Sequence, residues 1–183
     1  VVYPIIEIFL PENTGNDLFF IFLTAATVLI AAGGYVINDY FDLKIDRINR
    51  PEDVIVGEKI SLKSTMLFYQ ILTACGTICG LVLAFLTHSF TLGFIFILIP
   101  GLLWFYSASY KRQFLAGNLV VSFSSAFVII AVGIFALALL KLQYGKLLGM
   151  TPIPNIVYGW TGGFGGFAFL CTWIREIIKD MQD

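Results

Sequence analysis

Charge is scarce in this chain. Asp, Glu, Lys and Arg make up only 13% of the residues, against about a quarter in a soluble domain. With a hydrophobic share of 58% and a mean hydropathy of +0.89, that scarcity excludes a water-soluble globule. The formal net charge is −1 and no basic arm or run exists, so nucleic acid is not a partner. Histidine occurs once, at His88, which follows an apolar run and reads as an interfacial residue. The three cysteines, Cys75, Cys79 and Cys171, all lie in apolar segments. Cys75 and Cys79 share a helix face, but no His or acid accompanies them, so packing is their expected role rather than metal binding.

Long apolar runs and aromatic residues are abundant: 18 Phe, 8 Tyr and 3 Trp. The apolar runs are continuous rather than alternating, which predicts membrane-spanning helices and not a barrel. Val1–Leu10 is too short to span, covering about 15 Å as a helix. It has no basic leader and reads as the tail of a helix broken at Pro11. Asn13–Asp17 is a polar turn in which Asn16 or Asp17 can cap the next helix. Complete spans are expected over 18–41, 64–87, 90–107, 115–140 and 156–174. The connections are a polar loop over 42–63, a tight turn at His88 and Ser89, a basic link over 110–114, and a loop over 141–155 with Pro152 and Pro154. The expected fold is all-α: a polytopic transmembrane helical bundle with about five complete spans and the tail of a first helix. The chain reads as a fragment cut at both ends, with 1–183 forming one domain.

Loop charges orient this bundle. Lys44, Arg47, Arg50, Lys59, Lys63, Lys111, Arg112, Arg175 and Lys179 fall on one side, and only Lys141 and Lys146 on the other. The richer side is expected to face the cytoplasm.

Two acidic clusters lie on that richer side. The first is N-D-Y-F-D-L-K-I-D, from Asn38 to Asp46, at the end of a span. Acids at a bilayer face are costly without a partner and so point to function. Asn38, Asp42 and Asp46 are spaced i, i+4, i+8 and fan over one helix face. Asn38 and Asp42 can share an ion. Asp46 is about 12 Å from Asn38 along the axis and joins them only if the helix unwinds, or else serves a second ion. Asp39 points away from that face and suits a second layer of contacts or a basic partner. In the second cluster Glu176, Asp180 and Asp183 are spaced i, i+4, i+7, again on one face. Every candidate ligand is an oxygen donor, which favours Mg²⁺, or Mn²⁺, over zinc. Mg²⁺ keeps positions open for phosphate oxygens, and Arg50, Lys111, Arg112, Arg175 and Lys179 supply cations on the same side. Each cation taken singly also serves as an ordinary positive-inside anchor. The last span carries G-W-T-G-G-F-G-G-F, in which Gly159 with Gly163 and Gly162 with Gly166 have the spacing of close helix contacts.

These parts suit one reaction. Metal ions hold a prenyl diphosphate, the allylic C–O bond ionises, and a nucleophile captures the carbocation in a dry cavity whose aromatic faces stabilise it.

The residues also resemble a known family. N-D-Y-F-D-L-K-I-D followed by R-I-N-R-P is similar to the first aspartate motif of the UbiA superfamily of intramembrane prenyltransferases. Y-S-A-S-Y-K-R, ending at Arg112, with Gly117 and Asn118 beyond, resembles its middle segment, and R-E-I-I-K-D-M-Q-D, from Arg175 to Asp183, its second acidic motif. The resemblance covers nearly the whole chain and implies a bundle of nine helices around a cavity open to lipid, of which the last three and the start of the first are absent here. It implies Mg²⁺ ligation by Asn38, Asp42, Asp180, Asp46, Glu176 and Asp183. It implies diphosphate contacts from Arg50, Tyr106, Lys111, Arg112, Asn118 and Lys179, with Asp42, Asp46, Asp180 and Lys111 as the catalytic group. After Arg50-Pro51 many members are basic, whereas this chain reads E-D-V-I-V-G-E-K-I-S. The second acidic motif looks nearest to the branch that prenylates geranylgeranylglyceryl phosphate. The expected partners are a prenyl diphosphate, a small acceptor and the bilayer, with no protein partner inferred. The acceptor is a prenylglyceryl phosphate or an aromatic quinone precursor such as 4-hydroxybenzoate. A cation transporter would also use paired acids, but its site would sit near mid-membrane. A structural protein without chemistry would tolerate loss of Asp42 and Asp180.

Overall fold

The computed structural model describes residues 15–49, 51–109 and 115–181. These form five long helices: α1 (Gly15–Asn49), α2 (Leu62–Leu86), α3 (Phe90–Ala108), α4 (Ala116–Tyr144) and α5 (Ile153–Asp180). Short 3₁₀ turns, Pro51–Asp53 and Gly145–Met150, sit in two of the connections. Val1–Leu10, Pro11 and the first polar turn lie outside the described residues up to residue 14.

Among the described residues four stretches are long and apolar enough to cross a membrane: Asp17–Asn49, Leu62–Leu86, Phe90–Ala108 and Gly117–Met150. The fifth expected span corresponds to α5, which with 28 residues has the length, while five glycines and its Pro, Asn, Trp and Tyr content lower its apolar average. Large apolar side chains are exposed along the bundle, among them Ile21, Phe85, Ile97 and Phe167. In an integral membrane protein such side chains meet lipid rather than water.

Helix starts follow local chemistry. Ser61 caps α2 by accepting from the Ser64 N–H at 3.1 Å, and Ser89 caps α3 by accepting from Leu92 N–H at 3.4 Å. Between them His88 takes a positive φ of 51°, which closes the expected tight turn. Asp17 lies in the first turn of α1 rather than before it, where a negative charge meets the positive end of the helix dipole.

A second correction concerns the loop expected from residue 42. α1 continues without interruption to Asn49, so the whole first acidic motif is helical. The loop that follows folds back onto this extension. Val54 and Val56 are buried, and the Arg47 guanidinium donates to Glu58 at 2.8 Å. Gly57 has a φ of +79°, and a Cβ there would stand 3.2 Å from Leu43. Leu43 and Arg47, four residues apart on one face, therefore give the loop an apolar and a charged anchor on α1.

The most extensive contacts are α1 with α2 and α4 with α5, followed by α2 with α3, then α1 with α3 and α3 with α4. α1 and α5 share no extensive contact. Glycines permit the closest approaches. A Cβ on Gly76 would lie 2.9 Å from Ile30 Cγ1 and 3.0 Å from the Ile30 backbone nitrogen. A Cβ on Gly133 would overlap Thr161 of α5. Of the expected small-residue pairs on α5, none makes such a contact. A Cβ at Gly159, Gly162, Gly163 or Gly166 would meet nothing within 4 Å among the described residues. The contact with α4 runs instead through Val157, Thr161 and Gly165, all buried and one turn apart. Spacing alone does not say which of two parallel small-residue stripes meets a neighbour. Of the cysteines only Cys79 joins the apolar core, while Cys75 and Cys171 are exposed.

This geometry separates two kinds of glycine. Gly76→Ala must push α1 from α2 and is expected to cost about 1–3 kcal/mol, whereas Gly162→Ala, whose Cβ meets nothing within 4 Å among the described residues, should be neutral or stabilise by up to about 1 kcal/mol through helix propensity. Denaturant unfolding of both variants in the same detergent measures the difference, and equal stabilities would contradict the contact assignment.

Candidate active site: an acidic mouth on an apolar cavity

Three helix ends and the interior of α1 meet at one level of the bundle. α1 brings Asn38 and Asp42, the last turn of α3 brings Tyr106 and Ser107, the first turn of α4 brings Asn118, and the end of α5 brings Glu176, Lys179 and Asp180. Asp42, Ser107, Asn118 and Glu176 are buried. Buried polar groups need partners, and the partners define the site. Asn38 Nδ2 donates to Asp42 Oδ2 at 2.8 Å. Asn118 Nδ2 donates to Asp180 Oδ2 at 2.7 Å, bridging α4 and α5. The Arg175 guanidinium reaches Glu176 Oε1 at 2.6 Å. Adjacent helical residues point about 100° apart, so Arg175 curls around the helix to reach its neighbour.

The two acidic motifs face a shared space. The Tyr106 phenol lies in the electrostatic field of Glu176, Asp42 and Asp180 together. Asn38, Tyr106, Arg175, Glu176 and Lys179 line one end of a cavity of about 490 Å³. From there it runs between α1, α3 and α4 over apolar wall, including Ile30, Ile99, Leu103 and Val128. The result is a charged mouth on an apolar shaft, a shape suited to an amphiphile with an anionic head.

The electrostatics of the mouth call for cations. α3 and α5 end here, and helix C-termini carry partial negative charge. Only α4 presents its N-terminus. Carboxylates added to two negative helix ends repel each other unless cations intervene. Every donor is oxygen, with no His or Cys at this end, which suits Mg²⁺ or Mn²⁺ rather than zinc. Among the described residues no three carboxylate, His or Cys groups stand close enough to cage a metal by themselves. That is the condition under which Mg²⁺ takes one or two carboxylates and completes its shell with phosphate oxygens and water.

The sequence-expected residues fare differently. Asn38, Asp42, Tyr106, Asn118, Glu176, Lys179 and Asp180 come together. Asn118 is engaged with Asp180, so its first task is holding that carboxylate rather than meeting a diphosphate. Asp46 does not join Asn38 and Asp42, because the helix stays wound through Asn49 and keeps it about 12 Å along the axis from Asn38. Arg50, Lys111, Arg112 and Asp183 lie outside the described residues. The lower cavity wall, including Phe96 and Ala131, was not foreseen. Those residues lie in uniformly apolar runs whose pattern marks no inward face.

Known proteins share this chain's sequence. The UbiA prenyltransferase family profile matches residues 5–183. A digeranylgeranylglyceryl phosphate synthase of Ignicoccus hospitalis is 34% identical over 160 residues, covering 87% of this chain and 47% of that protein. The protein of the same name from Sulfolobus acidocaldarius is 34% identical over 168 residues, 92% of this chain and 52% of its own length. That from Methanothermobacter thermautotrophicus is 32% identical over 195 residues, 98% of this chain and 61% of its own. The chain thus spans about half the length of the curated relatives it matches. No solved structure matches it significantly.

The bridge between α4 and α5 has a measurable consequence. Asn118→Ala should free Asp180 to move and weaken Mg²⁺-dependent pyrophosphate binding by about 10- to 100-fold. Isothermal titration of the full-length protein reads this directly, and unchanged affinity would remove Asn118 from the site.

Proposed function

The chain belongs to the UbiA prenyltransferase family, and on that premise we propose that it transfers a prenyl group from a prenyl diphosphate to a prenylglyceryl phosphate within the membrane. The carrying observation is the convergence of both acidic motifs at the mouth of one apolar cavity. The relatives' shared name supports the choice of acceptor.

Residues take roles by position. Asn38, Asp42, Glu176 and Asp180 would hold Mg²⁺, with Asp46 and Asp183 as further candidates. The ion's contribution when bound is to neutralise charge on the departing diphosphate. Lys179 and Arg175 line the mouth and add fixed positive charge toward phosphate oxygens, joined in this proposal by Arg50, Lys111 and Arg112. Asn38 and Asn118 each hold a carboxylate in place. Tyr106 lines the cavity beside Asn38 and Glu176, where its ring would supply an aromatic face to a developing allylic cation. The apolar shaft holds the isoprenoid tail and keeps water from the cation. In the transfer the allylic C–O bond breaks with its electron pair leaving on diphosphate. A hydroxyl oxygen of the acceptor forms the new ether bond and gives up its proton to the departing diphosphate. The excess of Lys and Arg in the loops at this end supports a mouth that opens to the cytoplasm.

The test uses the full-length protein in nanodiscs with geranylgeranyl diphosphate, Mg²⁺ and a panel of prenylglyceryl phosphate and aromatic acceptors, read by mass spectrometry. A prenylated glyceryl phosphate is expected, lost with chelator. Asp42→Asn and Asp180→Asn should each lower the rate at least about 100-fold, the scale of removing a group that organises transition-state charge. A product found only on the aromatic acceptors would correct the acceptor. No product together with no Mg²⁺-dependent diphosphate binding would overturn the proposal.

A further inference from the structure

The cavity ends abruptly, at the same depth on each helix. Its deepest lining residues are Thr27 on α1, Ile95 and Phe96 on α3, and Ala131 on α4. One step further from the mouth the buried apolar cluster begins on all of them: Leu23 and Ala26 on α1, Leu92 on α3, Phe135 on α4, with Leu83 of α2. Packed side chains at interior density leave no room for a chain to pass. The cluster is a plug, and its top layer is the cavity floor.

Phe96 is the largest side chain in that layer, and it belongs to both cavity and plug. Its position depends on α2. A Cβ on Gly80 would stand 2.6 Å from Phe96 Cδ2 and 2.7 Å from its Cβ. No real side chain tolerates that approach, and a Cβ cannot swing aside. Only a glycine at position 80 lets the Phe96 ring lie back against α2 instead of across the shaft. Pro100 adds freedom at the same level. It lies inside α3 and has no N–H for the carbonyl four residues earlier, which is that of Phe96.

We infer that Phe96, seated against Gly80, is the floor that sets which prenyl chain lengths the cavity accepts, with Ala131 on the facing wall. This rests on the prenyltransferase reading above. From Thr27 to Asn38, Phe96 to Tyr106 and Val120 to Ala131 the shaft is about 15–17 Å deep at 1.5 Å per helical residue. A carbon–carbon bond of about 1.5 Å advances an extended chain by roughly 1.25 Å, so this depth takes about 12–14 bonds, or about three isoprene units: a 15-carbon chain fits extended and a 20-carbon chain must bend against the floor. Phe96 is a specificity residue touching the distal end of the chain, and Gly80 is a positioning residue acting through it.

The experiment compares all-trans prenyl diphosphates of 10, 15, 20 and 30 carbons on the full-length protein with Mg²⁺. Binding is measured by calorimetry, and transfer by KM and kcat. The unaltered protein should favour the 15- and 20-carbon chains over the 30-carbon one. Gly80→Ala should push the ring into the shaft and shift preference from 20 toward 15 carbons. Ala131→Leu should do the same from the opposite wall without touching the Gly80 contact. Phe96→Ala should deepen the shaft and admit the 30-carbon chain. Each shift is expected to be about tenfold or more in the ratio of KM values between neighbouring lengths, since one methylene in an apolar pocket already discriminates about tenfold, with little change in the ratio of kcat values. A general folding defect would lower all lengths together. Parallel losses across the ladder in all three variants, or an unaltered protein indifferent to length, would overturn the inference while leaving prenyl transfer standing. Length-dependent binding without transfer to any acceptor would support the floor and overturn the transfer reaction. No binding of any prenyl diphosphate would overturn both.

Discussion

Negative charge gathered at one end of a membrane bundle is the condition on which the rest of this structure depends. Asp42 and Glu176 are buried where α3 and α5 also bring their negative ends. An uncompensated carboxylate in such a place costs several kcal/mol. The chain meets part of this cost itself. Asn38 and Asn118 each turn an amide N–H toward a carboxylate, and Arg175 covers Glu176. Glu176 lines the cavity mouth beside Asn38, Arg175 and Lys179. In the proposed reaction the anionic oxygens of this region would be met by an external cation and the phosphate it brings.

The helix packing serves this arrangement. α1 is locked to α2, and α4 to α5, through glycines whose neighbours occupy the space of a missing Cβ. α1 and α5, which carry the two acidic motifs, have no comparable contact with each other. They are held apart across the cavity as two walls, each braced from behind. Rigid bracing suits the proposed reaction, in which a carboxylate that drifted would lose its effect on the leaving group. The loop after α1 contributes too, since Gly57, Val54 and the Arg47–Glu58 pair tie it to the helical extension that carries the first motif.

The shaft and the mouth solve opposite problems in one volume. A carbocation needs surroundings without water, and a diphosphate needs surroundings rich in cations and hydrogen bonds. The cavity gathers its charged lining at the mouth, while the shaft is mainly apolar with the hydroxyls of Thr27, Ser124 and Ser125 along it. The plug of Leu23, Ala26, Leu83, Leu92 and Phe135 then gives the apolar part a finite depth. Stability and substrate measure share residues in that layer, which is why Phe96 counts in both the core and the cavity wall.

Much of this was legible in the residues alone. Continuous apolar runs require helices in lipid, so the all-α bundle and most helix positions follow from hydropathy and chain length. The i, i+4 spacings put Asn38 with Asp42 and Glu176 with Asp180 on common faces, because helical geometry is local. Three things were decided only by tertiary structure. The acidic motif of α1 remained helical to Asn49, since the following loop folds back and anchors on Leu43 and Arg47, contacts that no local propensity encodes. The glycines of α5 that looked like a contact stripe face away from α4, while Gly165 and Thr161 face it, because rotation about a helix axis is set by the neighbour and not by spacing. The cavity floor at Phe96 depends on Gly80, sixteen residues away on another helix, and a uniformly apolar run carries no periodic signal of which side chain points inward. Local chemistry determined what kind of site this chain could build, and packing between helices decided where its charges meet and how deep the cavity goes.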